Sequence, residues 1–266
     1  MAFRWKGFLI DLDGTMYHGS QMVPGADQWI AELNKRQIPF LFVTNNSSRT
    51  PADVAASLRQ MGIQADAGQV CTSAVGAALY LADREPGARV AVVGEAGLIS
   101  ALEEAGLVIT EERPDYVVQG IDRSFNYETL RKAVEWIRGG AAYILTNPDL
   151  LLPGQGGLAP GAGTLSAAIQ AATGVKPVTI GKPESILMLQ AIERLGLTAA
   201  ETAVIGDNML TDISAGSRSG CGTILTLTGV TTKDNLEHYK ELTGITPDQI
   251  FDNLYDLITA LDGKER

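Results

Sequence analysis

The chain has 266 residues, of which 45% are hydrophobic and 20% are charged, and its formal net charge at pH 7 is −10. This composition is ordinary for a globular protein with a substantial core. The acidic balance argues against nucleic-acid binding, because recognition of a phosphate backbone needs a positive surface. The 2 cysteines are too few for a disulfide framework, and no apolar stretch approaches the length of a membrane span. We therefore expect a cytoplasmic protein without a membrane partner.

Short apolar, β-prone runs alternate with helical patterns along the chain, which is typical of βαβ units and a parallel sheet. Strands are predicted at residues 8–10, 39–43, 90–93, 116–118, 142–145, 178–180, 203–205 and 223–227. Helices are predicted at residues 26–35, 51–61, 73–82, 98–105, 127–138, 163–172, 184–195 and 212–217. The expected fold class is α/β, with a Rossmann-like parallel sheet whose apolar strands are covered on both faces.

The middle of the chain carries an α/β pattern of its own, whereas the residues with chemical potential cluster before about residue 50 and after about residue 180. We therefore interpret residues 82–177 as an inserted α/β domain. Residues 1–81 and 178–266 would then form a discontinuous catalytic core. A single larger sheet that runs through the whole chain is the alternative.

Polar residues stand directly after four of the predicted strands. In chain order they are Asp11 and Asp13; Thr44 and Asn45; Lys182; and Asp207, with Asp212 shortly after it. If these strands are parallel neighbours, the side chains meet at the carboxyl edge of one sheet, where open α/β sheets bind their ligands. Alternate positions at a strand end also point in different directions, so Asp11 and Asp13 would have different environments.

Charge decides what else such a site needs. Two carboxylates about 4 Å apart repel each other by roughly 4 kcal/mol at an effective dielectric constant of 20. One lysine cannot offset four acids, whereas a hard divalent cation such as Mg²⁺ suits carboxylate oxygens and a substrate phosphate. Each residue also has a plainer interpretation: Thr44 and Asn45 as a helix cap, Lys182 as a solvated lysine, and Asp207 and Asp212 as charges at a helix start.

Taken together, the segments DLDGT, TNN, GKP and GDNMLTD resemble the haloacid dehalogenase (HAD) superfamily of phosphohydrolases in motif order and approximate spacing. The long stretch between Thr44 and Lys182 resembles the NagD and 4-nitrophenylphosphatase branch, in which a large α/β cap lies between the second and third motifs. This resemblance implies a Rossmann-like core and Mg²⁺-dependent hydrolysis of phosphomonoesters. It covers nearly the whole chain.

The resemblance also implies roles for the acids. Asp11 would attack phosphorus and become a phosphoaspartate, which is covalent catalysis. Asp13 would protonate the leaving oxygen and then activate the hydrolytic water. The metal would be held by Asp11, the backbone carbonyl of Asp13, Asp207 and Asp212, the last directly or through water.

Substrate contacts follow from the same resemblance. Thr44, Lys182 and the backbone of Asn45 would hold the phosphoryl oxygens. In the cap, TNPD resembles a substrate-specificity loop, so Asn147 and Asp149 are candidate leaving-group contacts, with a plain Asn-Pro turn as the alternative.

The implied substrates are small phosphorylated metabolites, such as sugar phosphates or nucleoside monophosphates. A homodimer formed through the cap is a further expectation. Two other functions stay open from the residues alone. One is a phosphotransferase or mutase that uses the same phosphoaspartate, and the other is a non-catalytic phosphate-binding protein.

Overall fold

The computed structural model describes residues 3–154, 157–261 and 263. The strands are β1 (Gly7–Ile10), β2 (Tyr17–His18), β3 (Gln21–Met22), β4 (Phe40–Thr44), β5 (Val70–Thr72), β6 (Arg89–Val93), β7 (Val108–Ile109), β8 (Tyr116–Gln119), β9 (Ala142–Leu145), β10 (Leu151–Gly154), β11 (Gly157–Pro160), β12 (Val178–Thr179), β13 (Thr202–Gly206), β14 (Gly222–Thr226) and β15 (Gln249–Phe251). The helices are α1 (Ala26–Lys35), α2 (Pro51–Gln60), α3 (Ser73–Ala82), α4 (Ala96–Glu104), α5 (Tyr127–Arg138), α6 (Ala162–Thr173), α7 (Ile186–Leu195), α8 (Ser214–Arg218), α9 (Leu236–Thr243) and α10 (Leu254–Leu261).

The chain forms two compact units. The first unit comprises Met1–Thr44, Pro51–Cys71 and Lys182–Arg266, and the second comprises Asn45–Thr50 and Thr72–Gly181. Each unit contains a parallel sheet and the helices that connect its strands. The predicted α/β class is therefore confirmed.

The boundaries of the units differ from the predicted ones. Helix α3 and segment 45–50 were expected in the catalytic core, but both belong to the second unit. Strand β12 was also expected there, yet it pairs in parallel with β9, with Val178 opposite Ile144. An apolar run carries no mark of the sheet that it joins, because the pairing partner is set by the fold around it.

The first unit is built around a six-stranded sheet in the order β15-β14-β13-β1-β4-β5. Strand β1 pairs in parallel with β13 and β4, and β1 and β13 are buried along their whole length. Helix α1 buries Ala26, Trp29, Ile30 and Leu33, the spacing of one helix face. The Trp29 ring lies 5.5 Å from the ring of Phe8 on β1, and full burial of such a side chain stabilises the fold by about 1.5–3 kcal/mol.

The second unit has a five-stranded parallel sheet in the order β12-β9-β8-β6-β7. Its core joins Val93, Val117 and Tyr143 of the sheet to Ile169 of α6. Helix α5 begins at Tyr127, as predicted, because the Asn126 side chain accepts a hydrogen bond from the backbone N–H of residue 128 over 2.9 Å.

Among the residues that the structure describes, no helix is long and apolar enough to cross a membrane. The cytoplasmic location stays a prediction.

Candidate active site

The carboxyl end of β1 carries two acids in different surroundings. Asp11 is buried, and its backbone N–H extends the pairing with β13 by donating to the carbonyl of Ile205 over 2.8 Å. Asp13, two positions further on, is exposed, and the Tyr17 hydroxyl lies 3.4 Å from its Oδ2. The alternation of a strand end thus separates a buried carboxylate from an exposed one, as predicted.

Lys182 contacts the Asp11 carboxylate, although it does not follow a strand of the first sheet. The strand before it, β12, belongs to the second sheet, so the expectation of four parallel neighbours at one edge is wrong. Lys182 is only 3% exposed. Its Nζ donates to Oδ1 of Asp11, to Oδ1 of Asp212 over 2.6 Å and to the carbonyl of Val43 over 3.2 Å.

Asp207 follows β13, and each of its two carboxylate oxygens accepts a hydrogen bond. Its Oδ1 accepts a hydrogen bond from the Thr15 hydroxyl over 3.1 Å, and its Oδ2 accepts one from the backbone N–H of Val230 over 2.6 Å. A Cβ at Gly14 or at Gly229 would lie 2.5 or 2.1 Å from Oδ2. The two glycines are therefore required by the close approach of this carboxylate, and Gly14 also has a φ of +89°.

Asp212 is presented by a π-helical turn over Met209–Ile213. The backbone N–H groups of Asp212 and Ile213 both donate to the carbonyl of Asn208, over 2.9 and 3.2 Å. Oδ2 of Asp212 accepts from the N–H of Asn208 over 3.1 Å, which leaves Oδ1 for Lys182. A Cβ at Gly206 would lie 2.3 Å from that of Asp212, so this turn packs directly against the end of β13. Turns of this kind are frequent at functional sites.

Asp11, Asp207 and Asp212 each bring a carboxylate oxygen to within 4.8 Å of the other two. Burial and the neighbouring Asp212 carboxylate raise the pKa of Asp11 well above its usual range, although Lys182 opposes this shift. The same two causes raise the pKa of Asp207 to about 6. Burial acts against the charge of Lys182, but the Asp11 and Asp212 carboxylates hold its pKa above the usual value.

This cluster therefore has more negative charge than its lysine offsets, and the repulsion between its carboxylates favours binding of a cation. Three convergent carboxylates are the ligand set that hard divalent cations take in proteins. The residues present fit a divalent metal ion.

Thr44 and Asn45 fall on opposite sides of a unit boundary. Thr44 is the buried last residue of β4 in the first unit. Asn45 belongs to the second unit, where its carbonyl accepts hydrogen bonds from Ser73 Oγ over 2.6 Å and from Asn147 Nδ2 over 2.8 Å. Its own Nδ2 lies 3.2 and 3.1 Å from the two carboxylate oxygens of Asp149.

Asn147 and Asp149 are thus brought together with Asn45. The Asn147 side chain is 4% exposed, and its Oδ1 accepts from the backbone N–H of Asp149 over 3.2 Å. Both ends of the Asn147 amide therefore have partners inside the second unit, whereas Asp149 is only half-buried.

Asp207 is supported by three residues that were not predicted from the sequence: Thr15, Gly229 and the backbone of Val230. The DGT motif was a usable signal for Thr15. Nothing in the segment around Gly229 marks it as a partner of residue 207.

Known proteins resemble this chain over almost its full length. The family model for haloacid dehalogenase-like hydrolases matches residues 8–108, and that for HAD-hydrolase-like proteins matches residues 179–257. An acid sugar phosphatase from Staphylococcus aureus is 44% identical over 260 residues, which are 97% of this chain and 99% of the relative.

Solved structures also resemble this chain over almost its full length. A p-nitrophenyl phosphatase from Archaeoglobus fulgidus has a TM-score of 0.92 and 36% identity, and the match covers 97% of this chain and 99% of that one. NagD from E. coli K-12 has a TM-score of 0.87 and 33% identity, with 96% and 98% covered.

Proposed function

The chain belongs to the haloacid dehalogenase-like hydrolases, in the branch of NagD and the p-nitrophenyl phosphatases, and on that premise we propose that it hydrolyses small phosphomonoesters. The acid sugar phosphatase that is 44% identical supports sugar phosphates as the first substrates to test. The observation that carries the proposal is the buried cluster in which Lys182 contacts Asp11 and Asp212, with Asp207 beside them. Such a cluster suits phosphoryl transfer, which depends mainly on positioning and charge neutralisation.

In this proposal Asp11 is the nucleophile. Its carboxylate attacks phosphorus, and the bond from phosphorus to the alcohol oxygen of the substrate breaks as the aspartyl phosphate forms. Asp13 gives its proton to that leaving oxygen, then takes a proton from the water that hydrolyses the aspartyl phosphate. The exposed position of Asp13 suits proton exchange with water. The burial of Asp11 suits a nucleophile that is shielded from water.

Asp11, Asp207, Asp212 and the backbone carbonyl of Asp13 are the proposed ligands of Mg²⁺. When bound, this ion keeps the carboxylates ionised and neutralises charge on the phosphoryl oxygens. Asp207 is oriented for this role by Thr15 and Val230, which each bind one of its oxygens.

Lys182 and Thr44, with the backbone N–H of Asn45, are the proposed phosphoryl-binding groups. An ammonium group has three N–H donors, and Lys182 already contacts Asp11, Asp212 and the Val43 carbonyl. A phosphoryl oxygen must therefore share or replace one of these acceptors. Substrate binding is thereby linked to a change in the hydrogen bonds that Lys182 makes with these acceptors.

The second unit is proposed to be the substrate-specificity domain. Asp149 is the stronger candidate for a leaving-group contact, because it is half-buried, although its carboxylate accepts from Asn45, whereas Asn147 is 4% exposed and both ends of its amide have partners. A homodimer formed through this unit stays a prediction.

The proposal is tested by measuring phosphate release from a panel of phosphomonoesters with and without Mg²⁺, with Asp11→Asn as the matched control. We expect Mg²⁺-dependent release that falls by about 10⁴-fold or more in the variant. A variant that retains a few per cent of the rate would remove Asp11 as nucleophile. Phosphate found on an added sugar acceptor would identify a transferase, and absence of any release by the folded wild type would refute hydrolysis.

A further inference from the structure

The sheet of the second unit has a point at which its strand order reverses. From β6 the chain passes through α4 to β7 on one side, and from β8 it passes through α5 to β9 on the other side. The carboxyl ends of β6 and β8 therefore flank a crevice from which the two connections diverge. In open parallel sheets, this crevice is where ligands bind.

Segment 45–50 of the chain itself lies at this crevice. The backbone N–H of Gly97, in the first turn of α4 after β6, donates to the carbonyl of Ser48 over 3.1 Å. The backbone N–H of Ile121, two residues beyond β8, donates to the hydroxyl oxygen of Ser47 over 3.3 Å. Ser47 is 1% exposed. One hydrogen bond thus reaches the segment from the chain beyond each of the two strands that flank the reversal.

Two glycines make room for the segment. A Cβ at Gly97 would lie 2.5 Å from the backbone nitrogen of Arg49, and a Cβ at Gly120 would lie 2.5 Å from the hydroxyl oxygen of Ser47. Neither glycine has a φ in the left-handed region. The close approach of the segment, and not an unusual backbone conformation, therefore requires glycine at both positions.

Segment 45–50 begins at Asn45, whose backbone N–H is one of the proposed phosphoryl-binding groups. The carbonyl of Asn45 is held by Ser73 and Asn147, and its side chain contacts Asp149. Fixing this carbonyl fixes the peptide plane after Asn45, and the crevice fixes the two residues that follow Asn46. Segment 45–50 is therefore held at residues 45, 47 and 48 by other parts of the second unit.

We propose that the sheet of the second unit binds segment 45–50 of the same unit in place of a ligand, and that Ser47 is a positioning residue for the phosphoryl-binding backbone at Asn45. This inference rests on the proposed function, because it takes Thr44 and Asn45 as phosphoryl-binding groups. It also means that the crevice between β6 and β8 is filled by the protein and is not the substrate site. Substrate selection in this unit then falls to other residues, of which Asp149 is the candidate.

The test uses the full chain and compares Ser47→Ala, Gly120→Ala and the double variant with wild type. The control is Gly68→Ala, because a Cβ there meets nothing within 4 Å and its φ is not in the left-handed region. The readouts are the inhibition constant of inorganic phosphate during p-nitrophenyl phosphate hydrolysis, the Mg²⁺ concentration for half-maximal rate, and the melting temperature. Inorganic phosphate probes the phosphoryl site without a leaving group.

We expect Gly120→Ala to raise the phosphate inhibition constant by about tenfold or more, because displacement of a binding group is costly. Ser47→Ala removes one hydrogen-bond acceptor and should raise the constant about threefold to fivefold. The double variant should lie closer to Ser47→Ala than to Gly120→Ala, since the contact with the Ser47 oxygen at 2.5 Å is removed and the methyl group of residue 120 then meets the Cβ of residue 47 and Oγ1 of Thr146, each at 3.2 Å. Half-saturation by Mg²⁺ should not change, because the acidic cluster lies in the first unit.

Loss of folded protein lowers the maximal rate but leaves an inhibition constant unchanged, so the readout separates positioning from stability. An unchanged phosphate constant in folded Ser47→Ala and Gly120→Ala would overturn the inference. If Gly120→Ala does not fold, the double variant must fold and raise the phosphate inhibition constant at least as much as Ser47→Ala, and failure to do so would also overturn the inference. Failure of the proposed function is distinct, because wild type would then show no Mg²⁺-dependent hydrolysis.

Discussion

The ammonium group of Lys182 donates a hydrogen bond to Oδ1 of Asp212 over 2.6 Å, and both side chains are almost fully buried. The same ammonium contacts Asp11, so one cation bridges two of the three clustered carboxylates. Buried ion pairs depend strongly on both partners, because removal of one leaves an uncompensated charge in a medium of low dielectric constant. Lys182 therefore holds the acidic cluster together as well as contributing a positive charge to it.

Replacement of Lys182 by methionine should destabilise the metal-free protein. We expect a loss of about 3–5 kcal/mol in the free energy of unfolding, as for other broken buried pairs. Urea unfolding in the presence of a chelator measures this loss. The matched control is Lys132→Met, because Lys132 pairs with Glu111 at the surface and exposed pairs contribute about 0–1 kcal/mol.

Addition of Mg²⁺ to Lys182→Met should restore part of the lost stability, since a divalent cation replaces the missing charge. It should not restore activity, because the proposed phosphoryl contact is still absent. Equal unfolding free energies for wild type and Lys182→Met would show that the cluster is not held by this lysine.

Replacement of Gly229 by alanine should weaken metal binding without removing any ligand. The new Cβ would lie 2.1 Å from Oδ2 of Asp207, so the carboxylate must move. We expect the Mg²⁺ concentration for half-maximal activity to rise about tenfold or more, in the direction of Asp207→Asn, because groups that orient a ligand contribute 10–100-fold to metal affinity. Gly68→Ala is the control, and an unchanged Mg²⁺ titration for both variants would count against Asp207 as a ligand.

Much of the first unit could be predicted because its strands are apolar runs that end at polar residues. Asp11 and Asp207 stand directly after apolar runs that are buried on both faces, so strand ends and acids coincide. Helix α1 of the first unit, and helices α3 and α5 of the second, were also predicted with their observed bounds, because their sequences carry helical patterns.

The pairing of short strands could not be predicted. Residues 178–180 read as a strand next to Lys182, and β12 is indeed there, but only the fold places it beside β9. The hairpin of β10 and β11 and the helices α9 and α10 were missed because their patterns are short or rich in glycine. The role of Ser47 had no local signal, since its partner Ile121 is 74 positions away.

Asn147 and Asp149 should behave differently when each is replaced. Asn147→Ala leaves the carbonyl of Asn45 with one donor fewer and removes the acceptor for the Asp149 N–H, so we expect a lower melting temperature. Asp149→Ala should instead change the ranking of substrates. Values of kcat/KM over the ester panel measure this, and a uniform loss for all esters in Asp149→Ala would argue against a leaving-group contact.

The two thiols should react slowly in the folded protein. Burial raises the pKa of the Cys221 thiol to about 11, and burial also raises that of Cys71 although Arg194 opposes the shift. Only the thiolate is nucleophilic, so at pH 8 Cys221 should react with a disulfide reagent about a hundredfold more slowly in the folded protein than in urea, and Cys71 should also react more slowly. Rapid labelling of both thiols at pH 8 without denaturant would contradict the buried positions.

Because the folded-state pKa of Cys221 is raised to about 11, this thiol disfavours folding as the pH increases from about 8.5 to 11. Wild type should therefore lose stability relative to Cys221→Ala between pH 8 and pH 10.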